Sequence, residues 1–191
     1  MKERTLVLLK PDAVQRALVG DIISRIERTT LKVIGMKMVY ASPELAGKHY
    51  AADEAWLRSV GEKTKASYEK KGQVVKEDAI AIGTRVRKLL MDFISMSPII
   101  ALVVEGHNAV ATIRKLIGDT SPSSAAMGTI RGDYAVDSYA MADASGRPIQ
   151  NLIHASGSVT EAEREISVWF TTKELHAYYR VDEALVYRKV N

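Results

Sequence analysis

A chain of 191 residues, 47% hydrophobic and 26% charged with five prolines, can build one compact domain with a sizeable core and is too short for two ordinary ones. The absence of cysteine excludes disulfides and thiol catalysis and fits a cytoplasmic protein, and no run approaches the roughly 20 apolar residues that cross a bilayer, so no membrane association is expected. The net charge is +4, but the bases Lys63, Lys65, Lys70, Lys71, Arg85, Arg87 and Lys88 mostly alternate with acids and apolar residues, the pattern of a solvated mixed-charge surface rather than of a nucleic-acid face.

MKERTLVLLKPD has neither a long apolar region nor a small-residue cleavage site, so no secretory signal is expected. TLVLL (5–9) reads as a buried strand and Lys10-Pro11-Asp12 as the loop after it. From Gly20, isoleucines at 22, 23 and 26 set the apolar stripe of a helix. LKVIGMKMVYA (31–41) is a second strand, and Ser42-Pro43-Glu44 starts a helix, with an N-cap hydroxyl, proline at the first position and an acid at the positive end of the dipole. Across 55–93, Trp56, Leu57, Val60 and Tyr68, then Val86, Leu89, Leu90 and Phe93, recur at helical spacing on either side of a break near Gly72.

PIIALVVEG (98–106) is almost wholly apolar and therefore a central strand. Val110, Ile113, Leu116 and Ile117 mark a helix over 108–117 that Gly118 closes. DSYAMADASGRPIQ (137–150) reads as an exposed loop, and NLIH (151–154) as a fourth short strand. Ser158 and Glu161 have capping-box spacing for a last helix through Glu165 and Ile166. Strand and helix thus alternate four times.

Phosphate chemistry is the first suspect. Arg131 sits between Gly128 and Gly132 in GTIRGD, and Arg114 precedes a loop holding Asp119, Thr120 and Ser121. A guanidinium matches phosphate oxygens two at a time, and a threonine hydroxyl can take another; either arginine alone also reads as a surface ion pair. The phosphate-cradling pattern GxxxxGK[ST] is absent, since Gly61-Glu-Lys-Thr64 lacks its spacing, and the protein-kinase glycine loop is absent too. Side chains must therefore bind the phosphates. His154 is suited to nucleophilic attack, because a neutral ring nitrogen is a good nucleophile near neutral pH when a hydrogen bond holds the right tautomer. Ser156 and Glu165 are candidates to hold it. A lone histidine is more often structural, and spacing alone leaves that role open for His154.

VLLKPDAVQRALVGDII, GTIRGD and NLIHASGSVTEAEREISVWF, in that order, together with WFTTKELHAYYRVDEALVY, resemble the signatures and C-terminal tail of the nucleoside diphosphate kinases. The likeness covers about residues 3–56, 92–136 and 150–188. It implies a single domain over 1–191 with a ferredoxin-like α/β sandwich, a four-stranded antiparallel sheet covered by helices, and a helical insertion at 57–91. It implies a ping-pong transfer of the γ-phosphate of ATP or another nucleoside triphosphate to a nucleoside diphosphate, through a phosphohistidine at His154. Ser156 and Glu165 would orient that ring. Lys10, Tyr50 and Asn151 would lie around the ribose 3′-hydroxyl and the transferring phosphate. Arg114, Thr120 and Arg131 would bind the phosphates, with Mg²⁺ bridging phosphate oxygens rather than caged by protein. Relatives form hexamers or tetramers, so a homo-oligomer is expected.

The pattern also breaks. Arg58 stands where the family has an aromatic that stacks on the base, leaving Trp56 as the nearest substitute and equally a core residue. Residues 57–91 and 137–149 are longer than usual; the first reads as a solvated decoration, a lid, or an oligomer or partner contact. Gly157 and Met127 replace an aspartate and a proline common in the family. Two other readings use the same fold: a basic nucleic-acid-binding protein, whose binding would be steeply salt-dependent and survive loss of His154, and a protein-histidine kinase.

Overall fold

TLVLL becomes a strand, and a longer one: β1 spans Lys2–Leu9, with every residue from Thr5 to Leu9 buried. It lies inside the sheet, paired antiparallel on one side with β3 (Ile99–His107, register Leu9↔Ile100) and on the other with β4 (Ile153–Ala155). β2 (Lys32–Val39) pairs antiparallel with β3, interrupted by a bulge between Val33 and Gly35. The order is β2-β3-β1-β4, the expected four-stranded antiparallel ferredoxin-like sheet with β3 interior. The computed structural model describes residues 2–69, 72 and 74–187; Lys70 and Lys71, assigned above to a mixed-charge surface, lie outside them.

Both faces of the sheet are covered, which is why β1 and β3 are apolar runs rather than alternating ones. On one face Val7, Leu9, Leu102, Val104 and Ile153 pack under α2 (Val19–Glu27) and α6 (Ala109–Ile117) through Ile22, Ile26, Ile113 and Ile117. On the other, Leu6, Leu8, Ala101 and Val103 meet Ala46 of α3 (Pro43–His49), Ile94 of α5 (Ala79–Ser95) and Ala162, Ile166 and Trp169 of α9 (Val159–Trp169). Ser42 caps α3 as expected, its Oγ accepting from the Leu45 amide at 3.2 Å. Gly118 closes α6 at φ +81°.

Three local readings change. Lys10-Pro11-Asp12 is not a loop: Pro11 opens a short helix, α1 (Pro11–Gln15), directly after β1. Ser158 caps α9 by accepting from the Glu161 amide at 3.1 Å, but Glu161 does not return to Ser158; its Oε2 takes the Gly157 amide at 2.6 Å, so the box reaches one residue further back. The 137–150 segment is not an open loop. Asp137 is buried and accepts from the Ser138 and Gln150 amides and from both terminal nitrogens of Arg147, pinching the segment shut at its neck. Above that neck lies α8 (Tyr139–Ala144), capped by Ser138. β4 also starts later than NLIH suggests, at Ile153.

The residues between α3 and α5 fold as a helical hairpin, α4 (Glu54–Glu69) against α5, with Gly72 at φ +73° near its turn. The two helices touch backbone to backbone. A Cβ on Gly61 would fall 1.8 Å from the Ala79 carbonyl oxygen, and one on Gly83 would fall 2.0 Å from that of Leu57. At the far end of the chain, the tail is tied to the start of β2: Arg180 donates to the Leu31 carbonyl at 2.9 Å, the Tyr178 hydroxyl to that of Val33 at 2.8 Å, and the His176 amide to that of Ile34 at 2.7 Å. Among the described residues no helix is long and apolar enough to cross a membrane.

Replacing Gly61 by alanine forces the hairpin apart against backbone, and chemical denaturation should show a loss of about 1–3 kcal/mol. Gly20→Ala, at a site in α2 where a Cβ meets nothing within 4 Å, should instead gain about 0.5 kcal/mol.

Candidate active site

Strand register places the histidine. Leu8 pairs with His154, so the imidazole rises from the face of the sheet that carries Leu6 and Leu8, under α9. Along α9, Ala162, Glu165, Ile166 and Trp169 form the buried stripe, and a carboxylate therefore enters the core beside the ring. His154 donates from Nε2 to both oxygens of Glu165, at 3.0 and 3.1 Å. The Ser156 hydroxyl donates to Oε2 at 2.6 Å and accepts from the Leu6 amide at 3.3 Å, which ties the cluster to β1. Glu165 is 1% exposed, whereas the His154 side chain keeps 23% of its surface open. Nδ1 of His154 takes no partner among the described residues, and it is the nitrogen left with a lone pair when Nε2 carries the proton.

Burial alone would raise the Glu165 carboxyl. The hydrogen bond from His154, the two neighbouring imidazoles and the hydrogen bond from Ser156 outweigh it and hold the group at about 2. At neutral pH it is an anion.

His49, which no sequence pattern singled out, closes the back of the site. Its ring stands edge-on to that of His154, 4.7 Å between centroids at 89°, and to Tyr50 at 4.6 Å. Its Nδ1 accepts from the Trp169 indole N–H at 3.3 Å and lies 3.6 Å from Glu165. Burial first, and then the neighbouring His154, depress it to about 3, so it is a neutral wall. Its Nε2 is buried without a partner among the described residues. Lys48-His49 at a helix end looks in sequence like bases on a negative dipole end, and only the fold brings His49 to His154. The ligand atoms of His49, His154 and Glu165 lie within 4.8 Å of one another, but Nε2 of His154 is engaged on Glu165, Nδ1 of His49 on Trp169, and Glu165 on Ser156. The cluster is a hydrogen-bonded relay, and its nitrogen-rich donor set does not suit Mg²⁺.

The cations gather at the start of β4. Leu152 adopts left-handed φ +67°, an uncommon conformation for a branched residue. Its amide donates to Asp12 at 2.9 Å and its carbonyl accepts from the Lys10 amide at 2.8 Å, which holds the kink. The kink turns Asn151 so that its Oδ1 accepts from Lys10 Nζ at 2.5 Å while Nδ2 donates to the Thr120 carbonyl at 2.7 Å. Arg131, on α7 (Ile130–Tyr134), is buried with its fork on four carbonyls: Asn151, Gly118, Asp119 and Ile153. Four of its five N–H bonds are so used, which leaves one. Arg114 is exposed and lies 3.8 Å from the point a Gly157 Cβ would occupy, next to the His154 strand end. Burial, then Arg114, lower Arg131 to about 10; burial, then Arg131, lower Lys10 to about 8, against the opposing pull of Asp12. Those mutual shifts are the signature of positive charges crowded around a common space.

The sequence-derived site residues thus fall into two groups. His154, Ser156 and Glu165 form one, and Lys10, Thr120, Arg131 and Asn151 the other, with Arg114 between them. Tyr50 joins through His49. Trp56 stands one ring further out, 6.5 Å from Tyr50, packed partly on the core and lining an open cleft of about 470 Å³ with Ala51, Asp53, Ser158 and Arg164. Arg58 pairs with Glu54 at 2.8 Å on the exposed side of α4. The two additions meet each other: the Tyr68 hydroxyl of α4 hydrogen-bonds Asp143 of α8, beside Tyr139, which feels the charges of Asp119 and Arg131.

The family described as nucleoside diphosphate kinase matches residues 3–59 and 69–175; the stretch passed over lies within α4. A nucleoside diphosphate kinase of Pyrobaculum aerophilum is 46% identical over 178 residues, 91% of this chain and 97% of that protein. A crystal structure of an NDP kinase from the same organism superposes with a TM-score of 0.88 at 43% identity, covering 92% of this chain and 99% of the other. A nucleoside-diphosphate kinase from Borrelia burgdorferi, solved as a transition-state mimic with vanadate and ADP, gives 0.78 at 36% identity and 96% of each chain. The fold, the histidine–carboxylate pair and these likenesses agree: the chain belongs to the nucleoside diphosphate kinase family.

Proposed function

We propose that His154 carries the phosphoryl group as this enzyme moves it from a nucleoside triphosphate to a nucleoside diphosphate. One observation carries the reading: Glu165 holds the Nε2 proton of His154, which leaves Nδ1 as the free lone pair on the only open residue of the cluster. Nδ1 attacks the γ-phosphorus, the bond from phosphorus to the oxygen bridging to the β-phosphate breaks, and the electron pair leaves on the diphosphate. The ring gains positive charge as the P–N bond forms, and the ionised Glu165 stabilises it through the Nε2 proton. In the second half, a terminal oxygen of the incoming diphosphate attacks the same phosphorus and Nδ1 regains its lone pair. Ser156 fixes the carboxylate, and His49 and Trp169 keep the ring upright.

Phosphoryl transfer asks chiefly for positioning and charge. Lys10 and the exposed Arg114 offer donors to the phosphates, and Thr120 its hydroxyl. Arg131 contributes its field and one N–H while bracing the backbone of Gly118, Asp119, Asn151 and Ile153. Lys10 and Asn151 form a unit beside the reacting phosphate, with Tyr50 nearby. The carboxylates of Asp12 and Asp119 act on these cations, and neither belongs to a cluster that could hold a metal among the described residues; Mg²⁺ would therefore be held through the nucleotide phosphates and would supply neutralisation of their charge. The Borrelia burgdorferi relative with vanadate and ADP, and a Halobacterium salinarum relative in complex with CDP at 35% identity, support nucleotide binding on this fold.

Self-assembly belongs to the same reading. Beyond the tail, the free edge of β2 exposes Met36 (59%), Met38 (60%) and Tyr40 (68%), and Met127 is 81% exposed on the loop before α7. Apolar side chains on an open strand edge call for cover, and copies of this chain are the partner. We place the enzyme in the cytoplasm with the nucleotides it exchanges.

With γ-labelled ATP, the wild-type chain should take up acid-labile, alkali-stable label that GDP removes, and His154→Gln should take up none while remaining folded by circular dichroism; normal turnover by that variant refutes the carrier. Lys10 keeps its charge below about 8 and loses it above, so kcat/KM, which reports the free enzyme, should fall as pH rises past that value. Lys10→Arg should shift the fall to higher pH, and an unchanged profile would remove Lys10 from phosphate binding.

A further inference from the structure

The helical hairpin reaches the active site through one side chain. Arg87, on α5, donates from Nε to the Tyr50 carbonyl at 2.6 Å and from Nη2 to the Gly47 carbonyl at 3.2 Å. Both carbonyls belong to the C-terminal end of α3, where the last turn has no intrahelical donors left. The guanidinium lies so close to that turn that a Cβ on Gly47 would sit 3.5 Å from Nη2 and 3.5 Å from the Met91 Cε. Among the described residues Arg87 has no carboxylate partner, and its fork is committed to α3. A fixed cation at a helix C-terminus also complements the dipole.

The turn that Arg87 grips presents the site. Tyr50 leaves α3 at φ −88°, ψ 82°, and His49 precedes it. The two rings stand edge-on to each other, and His49 stands edge-on to His154. A shift of the Tyr50 peptide therefore moves the wall against which the imidazole is set. The other two sides of that wall are held from elsewhere: Trp169 from α9 and Glu165 across 3.6 Å. At the α3 end Arg164 takes the Lys48 carbonyl at 3.3 Å, and among the described residues Arg87 is the side chain that takes those of Gly47 and Tyr50.

We propose that Arg87 is a positioning residue for phosphoryl transfer, and that the hairpin is thereby part of the catalytic apparatus rather than a decoration. It acts through Tyr50 and His49 and touches no substrate. The proposal rests on His154 as the phosphate carrier.

The test is a double-mutant cycle. Arg87→Met, Tyr50→Ala and the combination are compared by the rate of His154 labelling from γ-labelled ATP, with unfolding midpoints measured alongside. Arg87→Met should slow labelling by about 10-fold or more, since a small displacement of positioning groups is costly. The combined variant should be no slower than the worse single one, because both act through one turn. Arg87→Lys keeps the charge but not the fork; it should recover the unfolding midpoint without recovering the rate, and added guanidinium should restore labelling in Arg87→Met. Labelling within two-fold of wild type in Arg87→Met, or rate losses that multiply with those of Tyr50→Ala, overturns the proposal. Should Arg87→Met not fold, Arg87→Lys decides: a wild-type rate overturns it and a slowed rate at an unchanged midpoint supports it. Label uptake by wild type, and its loss in His154→Gln, report on the carrier itself, so the two claims fail separately.

Discussion

A carboxylate removed from water must be surrounded by donors or take up a proton. Glu165 is almost wholly buried between α9 and the sheet, and it stays ionised because His154 and Ser156 both donate to it. The rest of the site follows from that requirement. One imidazole nitrogen is consumed in holding the charge, so the other is left for chemistry. The serine that shares the carboxylate is fastened to β1, so the anion, the ring and the sheet have one geometry. Of the cations, Arg164 comes within 3.8 Å of Glu165, whereas Lys10, Arg114 and Arg131 crowd one another, Arg114 disfavouring the charge of Arg131 and Arg131 that of Lys10.

Much of this could be read from the sequence where the signal is local. Apolar runs marked β1 and β3, Ser42-Pro43-Glu44 marked the start of α3, and Ser158 marked that of α9. The family signatures picked out His154, Lys10, Asn151 and Arg131. Reading failed where distant parts of the chain decide. Pro11 ends a strand in sequence terms, yet it opens α1 because β1 delivers it with an extended Lys10 ahead of it. Asp137 is one acid in a polar stretch until Arg147 and the Gln150 amide converge on it. His49 could not be found at all, since its role is a ring contact with a strand far along the chain. Arg131 was expected to bind phosphate, and its service as a brace for four carbonyls was not legible.

The two additions illustrate the same limit. Charge-rich helices at 57–91 have the composition of a solvated surface, and their outer faces are one. What composition does not reveal is the inner line of contacts: Gly61 and Gly83 seated on facing backbone, Arg87 on the end of α3, and Tyr68 on the other addition at Asp143. Each is a single residue in an otherwise ordinary helix.

Where glycine lets one helix lie directly on the main chain of another, there is no layer of side chains to slip or re-pack between them. At Gly61 and Gly83 the α4–α5 pair is therefore joined main chain to main chain. One end of that pair meets Asp143 through Tyr68, and Arg87 on the same pair rests on the peptide that bears Tyr50. The same glycines that make the arm compact make it a mechanical connection between the rim of the molecule and its centre.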